Sequence, residues 1–221
     1  MSESIYDLES ATIDSIRDCN IAIEEPEYVT KKIKRSTQTQ ALIDSLKLMG
    51  HPEGGFFKET DRSPFTMASP YFNNPEIKSD STTAKTPTRS YSTLIYYLIT
   101  PEAPLGRLHR NHSRIIHIWQ GGRGQYVLIY PNGEIKTFKV GPNIEKGEVM
   151  QWVVPGGVYK ASFLVPEDED TGESEHDKLL ISEVVVPGFE FEDHRFMKDL
   201  TELESLVGKD KASNLKWLLG N

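Results

Sequence analysis

The chain has 221 residues, 37% of them hydrophobic, with 9 Tyr, 9 Phe and 3 Trp, enough for one sizeable core domain with appendages. Its net charge of −8 is unevenly spread: residues 1–28 hold eight acids and one base, residues 167–177 hold seven acids, and the remainder is net positive. That mild surplus lacks the dense basic patch of a nucleic-acid surface, and no apolar run approaches the ~20 residues that span a bilayer, so neither nucleic acid nor membrane is an expected partner.

A single cysteine, Cys19, leaves no internal disulfide and fits a reducing compartment. The opening MSESIYDLES has no charged-then-apolar leader pattern. Cytoplasmic placement is the expectation. The run Lys31-Lys32-Ile33-Lys34-Arg35 reads either as a nuclear address or as a solvated basic linker.

In chain order, residues 1–36 read as an acidic, disordered tail, with Ile5, Leu8, Ile13 and Ile16 forming a broken helical stripe. Leu42, Ile43, Leu46 and Met49 then repeat at helical spacing, with Gly50 as the stop. Gly54-Gly55 marks a sharp turn, and residues 56–61 alternate as a strand. Residues 64–88 contain Pro64, Pro70, Pro75 and Pro87 and read as a surface loop. Strands follow at 92–99, 107–111, 115–120, 125–129, 135–140, 149–154, 159–165 and 179–186, separated by turns such as Pro131-Asn132-Gly133 and Gly156-Gly157. Short strands at near-regular spacing predict an all-β sandwich or barrel. The last residues, 201–221, read as a helical segment carrying Leu203, Leu206, Val207, Leu215, Trp217, Leu218 and Leu219.

Two regions carry the chemistry. Gly106, His109, Asn111 and Gly121 mark the first, and Pro155-Gly156-Gly157-Val158-Tyr159-Lys160 the second. This pattern resembles the cupin superfamily, whose first motif has two histidines, a glutamate and a glycine and whose second has Pro-x-Gly and a histidine. The segments HPEGGFFKETDRS, STLIYYLIT, RIIHIWQGGRGQYVLIYPNG and ISEVVVPGFEFEDH are similar to a subgroup of uncharacterised bacterial and fungal cupins. The resemblance implies a double-stranded β-helix, or jelly-roll barrel, over residues 37–200, and a homodimer.

The departures from the motif bear on metal. The resemblance puts Asn111, Arg114 and Lys160 where metal-binding cupins place a histidine, the glutamate and the last histidine. An arginine does not ligate and an ammonium repels a cation, so no metal and no cofactor are expected at those positions. A metal-free barrel resembles the RmlC-like sugar-nucleotide epimerases, which use a histidine base and a tyrosine acid.

On that reading His109 is the base, Tyr96 or Tyr126 the acid, and Glu59 or Glu183 the group that orients the histidine. Arg114 and Lys160 neutralise an anionic metabolite, and Asn111 and His117 complete the binding set. Each has a plain alternative. His109 serves a strand junction, His117 and the tyrosines fill the core, Glu59 and Glu183 pair with nearby bases, and Lys160 reaches out of the barrel mouth. Three functions therefore stand side by side: a barrel that binds and isomerises a small anionic metabolite without metal, a non-catalytic ligand-binding or interaction module, and a metal-dependent oxygenase, which requires the metal not expected here.

Overall fold

A computed structural model describes residues 21–72, 86–165 and 178–220. Two helices, α1 (Glu27–Thr30) and α2 (Thr37–Leu46), precede the strands. These are β1 (Met49–Gly50), β2 (Phe56–Arg62), β3 (Thr66–Ala68), β4 (Thr88–Ser90), β5 (Thr93–Ile99), β6 (Leu105–Asn111), β7 (Arg114–Gly122), β8 (Gly124–Ile129), β9 (Ile135–Val140), β10 (Gln151–Val154), β11 (Tyr159–Leu164), β12 (Leu179–Val186) and β13 (His194–Phe196). Helices α3 (Leu200–Val207) and α4 (Lys209–Leu215) close the chain.

The strands form two main antiparallel sheets. One runs β1-β2-β5-β12-β7-β10 and the other β13-β6-β11-β8-β9. Their inner faces pack together, as period-two alternation requires. Tyr97, Ile99, Tyr126, Leu128, Phe138, Trp152, Leu179 and Ile181 make the shared core. Trp152 anchors it, with Tyr126 at 4.7 Å and Phe138 at 5.8 Å between ring centroids.

Each outer face is covered by helices. Ile43, Leu42 and Leu46 of α2 pack on Leu98, Tyr96 and Leu180, the outward residues of β5 and β12. Leu203, Val207, Ala212, Leu215 and Leu218 cover Leu108, Val127, Ile129, Tyr159, Ala161 and Phe163 of the smaller sheet. Local capping sets these helices. The Ser36 hydroxyl accepts the Thr39 N–H at 3.1 Å, and Asp199 accepts the Glu202 N–H at 3.0 Å.

Several sequence expectations shift. The helix starts at Thr37 and stops at Lys47, whose φ of 54° is left-handed, so Met49–Gly50 is free to pair as β1 rather than end a helix at Gly50. The proline-rich stretch 64–88 is not loop throughout. Thr66–Ala68 pairs with Thr88–Ser90, because Pro64, Pro70 and Pro87 fall outside the ladder positions. Residues 1–20 of the expected tail lie outside the described residues. Residues 21–36 are docked rather than loose: Ala22 O accepts from Gln125 Nε2 at 2.9 Å, and Ile23 and Tyr28 pack on the two cores. Apolar Ile23 and Tyr28 offset the surrounding acids by burial. Strand β13 was not foreseen, since three residues are too short for a periodic signal.

The core assignment gives a direct expectation. Phe138 is fully buried among Tyr126 and Trp152. Phe138→Ala should lower unfolding free energy by about 3–5 kcal/mol in urea titration, whereas Phe191→Ala, at 69% exposure, should change it by no more than about 0.5 kcal/mol.

Candidate functional site

The polar interior is assembled by register. Lys160 on β11 lies directly opposite His109 on β6, and Glu183 on β12 directly opposite His117 on β7. Directly paired residues share a face, so all four side chains turn inward between the sheets. Strand β13 adds two further pairs, His194 opposite Asn111 and Phe196 opposite His109.

Lys160 joins the layers. Its Nζ lies 2.8 Å from Glu183 Oε2 and 2.9 Å from His117 Nε2. An ammonium only donates, so His117 Nε2 accepts and the ring is neutral. Burial pushes the His117 pKa well below 6.5, and the Lys160 charge adds to it. Burial pushes Glu183 up from 4.5, and Lys160 partly opposes that. The His117 ring stacks on Trp152 at 4.9 Å, which ties the polar cluster to the aromatic core.

A second cluster forms around Glu53. Gly54 and Gly55 have φ of 109° and 71°, and a Cβ on Gly54 would sit 1.9 Å from the Leu105 carbonyl oxygen. Only glycine permits that approach, and the turn points Glu53 inward. Its backbone is held at both ends: Glu53 N–H donates to His51 Nδ1 at 3.1 Å, and Arg107 N–H donates to Glu53 O at 2.8 Å. Glu53 Oε1 lies 2.8 Å from His194 Nε2 and 3.1 Å from His109 Nε2. Burial alone would raise the Glu53 pKa. His109, the His194 hydrogen bond, His51 and Lys160 outweigh it and hold the carboxyl well below the usual range. Burial pushes His109 down to about 3, aided by Lys160 and His194 and opposed by Glu53.

The segment bearing His194 is pinned from outside. Arg89, 2% exposed, grips Asp193 through Nε at 3.2 Å and Nη2 at 3.0 Å and also holds Glu192. This buried charge pair fixes the residue next to His194.

Beside both clusters lies a cavity of about 240 Å3. Phe57, Ile95, Ile115, Val185 and Phe189 form its apolar wall. Glu53, Asn111 and Glu183 supply its buried polar groups, and Glu59, Arg62 and Glu190 its exposed edge. Arg62 is occupied by Glu59 at 2.9 Å and Glu190 at 2.9 Å.

Of the residues singled out from the sequence, Glu59, Asn111 and Glu183 border this cavity. His109, His117 and Lys160 stand behind Glu53 and Glu183 as their partners, and Tyr126 stacks into the aromatic core. Two are placed elsewhere. Tyr96 points outward into the α2 contact, one residue from Tyr97, which does face inward and donates to Gly54 O at 3.0 Å. A one-residue difference in a strand changes the face, so Tyr96 as acid is corrected. Arg114 is exposed at the start of β7 and does not join the interior. Glu53, His51 and His194 went unrecognised. Glu53 carries no periodic signal in its turn, and His194 lies about 140 residues away in sequence.

Two outcomes follow from the Lys160 cluster. Lys160→Met strands the buried Glu183 charge and should cost about 3–5 kcal/mol of stability in urea unfolding. The unfolded chain protonates His117 near its ordinary pKa, whereas the folded chain resists, so stability falls as pH drops below about 6.5, by about 1.4 kcal/mol per pH unit for one proton. In unfolding titrations between about pH 7.5 and about pH 5, His117→Gln should show a shallower loss than the parent chain.

Comparisons place this architecture. The family described as Cupin superfamily (DUF985) matches residues 40–197. Uncharacterized protein YML079W of Saccharomyces cerevisiae is 48% identical over 219 residues, covering 99% of this chain and 100% of the relative. Among solved structures, a hypothetical protein from Leishmania major aligns with a TM-score of 0.63 at 28% identity, over 79% of this chain and 95% of the other. Protein SO0799 from Shewanella oneidensis aligns with a TM-score of 0.59 at 24% identity, over 83% and 97%. With two facing antiparallel sheets and both motif regions turned inward, the chain belongs to the cupin superfamily, in the family DUF985.

Proposed function

We propose that the barrel binds a small, hydroxyl-bearing metabolite of about monosaccharide size and transfers a proton on it, as an isomerase or epimerase does. The observation that carries this reading is the pair of buried carboxylates, Glu53 and Glu183, bordering an otherwise apolar cavity. Hydroxyl groups donate to carboxylates, and apolar walls suit the C–H faces of a sugar ring.

Charge argues against the anionic ligand expected from the sequence. Among the described residues, the cavity is lined by four glutamates and one arginine, and that arginine is already paired. Lys160, expected to neutralise an anion, is held by Glu183 and His117. The volume also falls below the ~300–1,000 Å3 of drug-sized sites, which favours a ligand smaller than a whole sugar nucleotide.

The acid–base element is Glu53, with Glu183 beside it as a fixed acceptor. Glu53 is held ionised, while burial raises Glu183. In this reading Glu53 removes the proton and returns it, His109 and His194 fix its orientation, and Glu183, held by Lys160, accepts a substrate hydroxyl. His109 is a positioning residue rather than the base, because Glu53 stands between it and the cavity wall.

A second reading, a non-catalytic binding module, draws on the same Lys160 contact. Glu183 bound to an ammonium at 2.8 Å has one fewer lone pair for a substrate.

A thermal-shift panel of neutral sugars and polyols against their phosphorylated counterparts tests the ligand class. Neutral compounds should raise the melting temperature, and Ile95→Trp, which fills the cavity, should abolish the effect while the protein stays folded. Stabilisation by phosphorylated compounds alone would sink the reading. For a neutral compound that binds, Glu53→Gln should reduce its isomerisation by about 10^2–10^4-fold; binding without turnover in the parent protein would favour the module.

A further inference from the structure

One feature of the Glu53 cluster is unexplained by hydrogen bonding. His109 Nδ1 lies 2.7 Å from the Arg107 carbonyl oxygen. A carbonyl only accepts, so the proton sits on Nδ1 and Nε2 presents a lone pair. That lone pair faces Glu53 Oε1, another acceptor, at 3.1 Å, and His109 Nε2 is buried with no hydrogen-bond partner. Two acceptors held this close in a dry interior repel each other unless positive charge, a proton on Nε2 or a metal ion, lies between them. Asn111 Oδ1, on the same face of β6, is a second buried acceptor without a partner.

The ligand atoms of Glu53, His109 and His194 all lie within 4.8 Å of one another. They come from three separate elements: the turn before β2, strand β6 and the first residue of β13. All three are anchored. Arg107 holds His109 through its carbonyl and Glu53 through its N–H, and Arg89 holds the residue preceding His194. Such outer contacts are what keep metal ligands aimed.

We propose that Glu53, His109 and His194 form a two-histidine, one-carboxylate site for a divalent transition-metal ion. Imidazole and carboxylate together suit iron(II), cobalt(II), manganese(II) or zinc(II), and three protein ligands leave coordination positions open. Glu53 borders the cavity, so an ion held by it would lie beside the space assigned to the metabolite. Ligation needs the His194 proton on Nδ1 instead of on the Nε2 that meets Glu53. Only His109 is shared with the positions that the family resemblance assigns to metal ligands. Arg114 is exposed, and Lys160 stays bound to Glu183 and His117, so those positions do not fit a cation and this second set does. The absence of metal expected from Arg114 and Lys160 does not extend to Glu53 and His194. With an ion bound, Glu53 is a ligand and not the free base assigned above, so the site does not rest on that assignment and replaces it where the metal is present.

The test is calorimetric titration of the chelator-stripped full-length protein with Zn2+ and Co2+, with the Co2+ absorption spectrum recorded in parallel. One ion per chain should bind, with a ligand-field spectrum showing imidazole and carboxylate donors. His194→Ala and Glu53→Gln should each weaken binding by at least about 100-fold, while His112→Ala binds as the parent does. No binding, or binding unchanged in both variants, overturns the proposal. Should either variant fail to fold, anomalous scattering from Zn2+-soaked crystals of the parent protein decides. A peak among the three side chains supports the site, and a peak elsewhere or none removes it. Metal bound here without any sugar-dependent stabilisation would leave the site standing and remove the proposed ligand class.

Discussion

The ammonium of Lys160 is the contact on which the polar interior depends. It sits on the smaller sheet and bonds to Glu183 and His117 of the larger one. A charge buried to 4% exposure is costly unless a counter-charge and hydrogen bonds meet it, and Glu183 and His117 do both. The contact specifies how the two sheets face each other, since a shift of one residue in β11 would turn Lys160 into the helix-covered outer face. It also explains why Lys160 is no anion-binding group despite its place in the second motif.

Around that contact the barrel divides its chemistry. Behind Glu183 lie the neutral His117 and the aromatic stack of Trp152, Tyr126 and Phe138, which close one part of the interior. Beside Glu53 lie His109, His194 and His51, and there the interior opens to the cavity. The two carboxyls border one space but have opposite surroundings. Glu53 meets the His194 ring nitrogen at 2.8 Å and feels the Lys160 ammonium, while burial dominates at Glu183. These surroundings suit Glu53 to one of two roles, a free base or, with His109 and His194, a cation ligand.

Structural support reaches well beyond the cavity. Arg89 lies outside it but clamps Asp193 and Glu192, and thereby the approach of β13. Arg107 serves twice, its backbone holding Glu53 and His109 and its side chain donating to Pro52 O at 2.8 Å. The C-terminal helices contribute no group to the site. They cover the outward residues of β6, β8 and β11, which keeps the smaller sheet buried on both faces and its inward residues in place.

Much of this was legible in the residues alone. Alternation in STLIYYLIT and GQYVLI, the turns at Asn132-Gly133 and Gly156-Gly157, and the leucine spacing near the end are local signals, and local signals determine strands, turns and helices. The family resemblance, not a local pattern, singled out His109 and Lys160, and it left open whether Lys160 faces the interior or the barrel mouth. What the sequence could not determine is which side chains meet. Tyr96 and Tyr97 differ by one position and point to opposite faces, a choice made by pairing with β12 and β2. Glu53 and His194 touch at 2.8 Å across 141 positions of chain, and no local pattern encodes a contact that only the stacking of strands from distant segments creates.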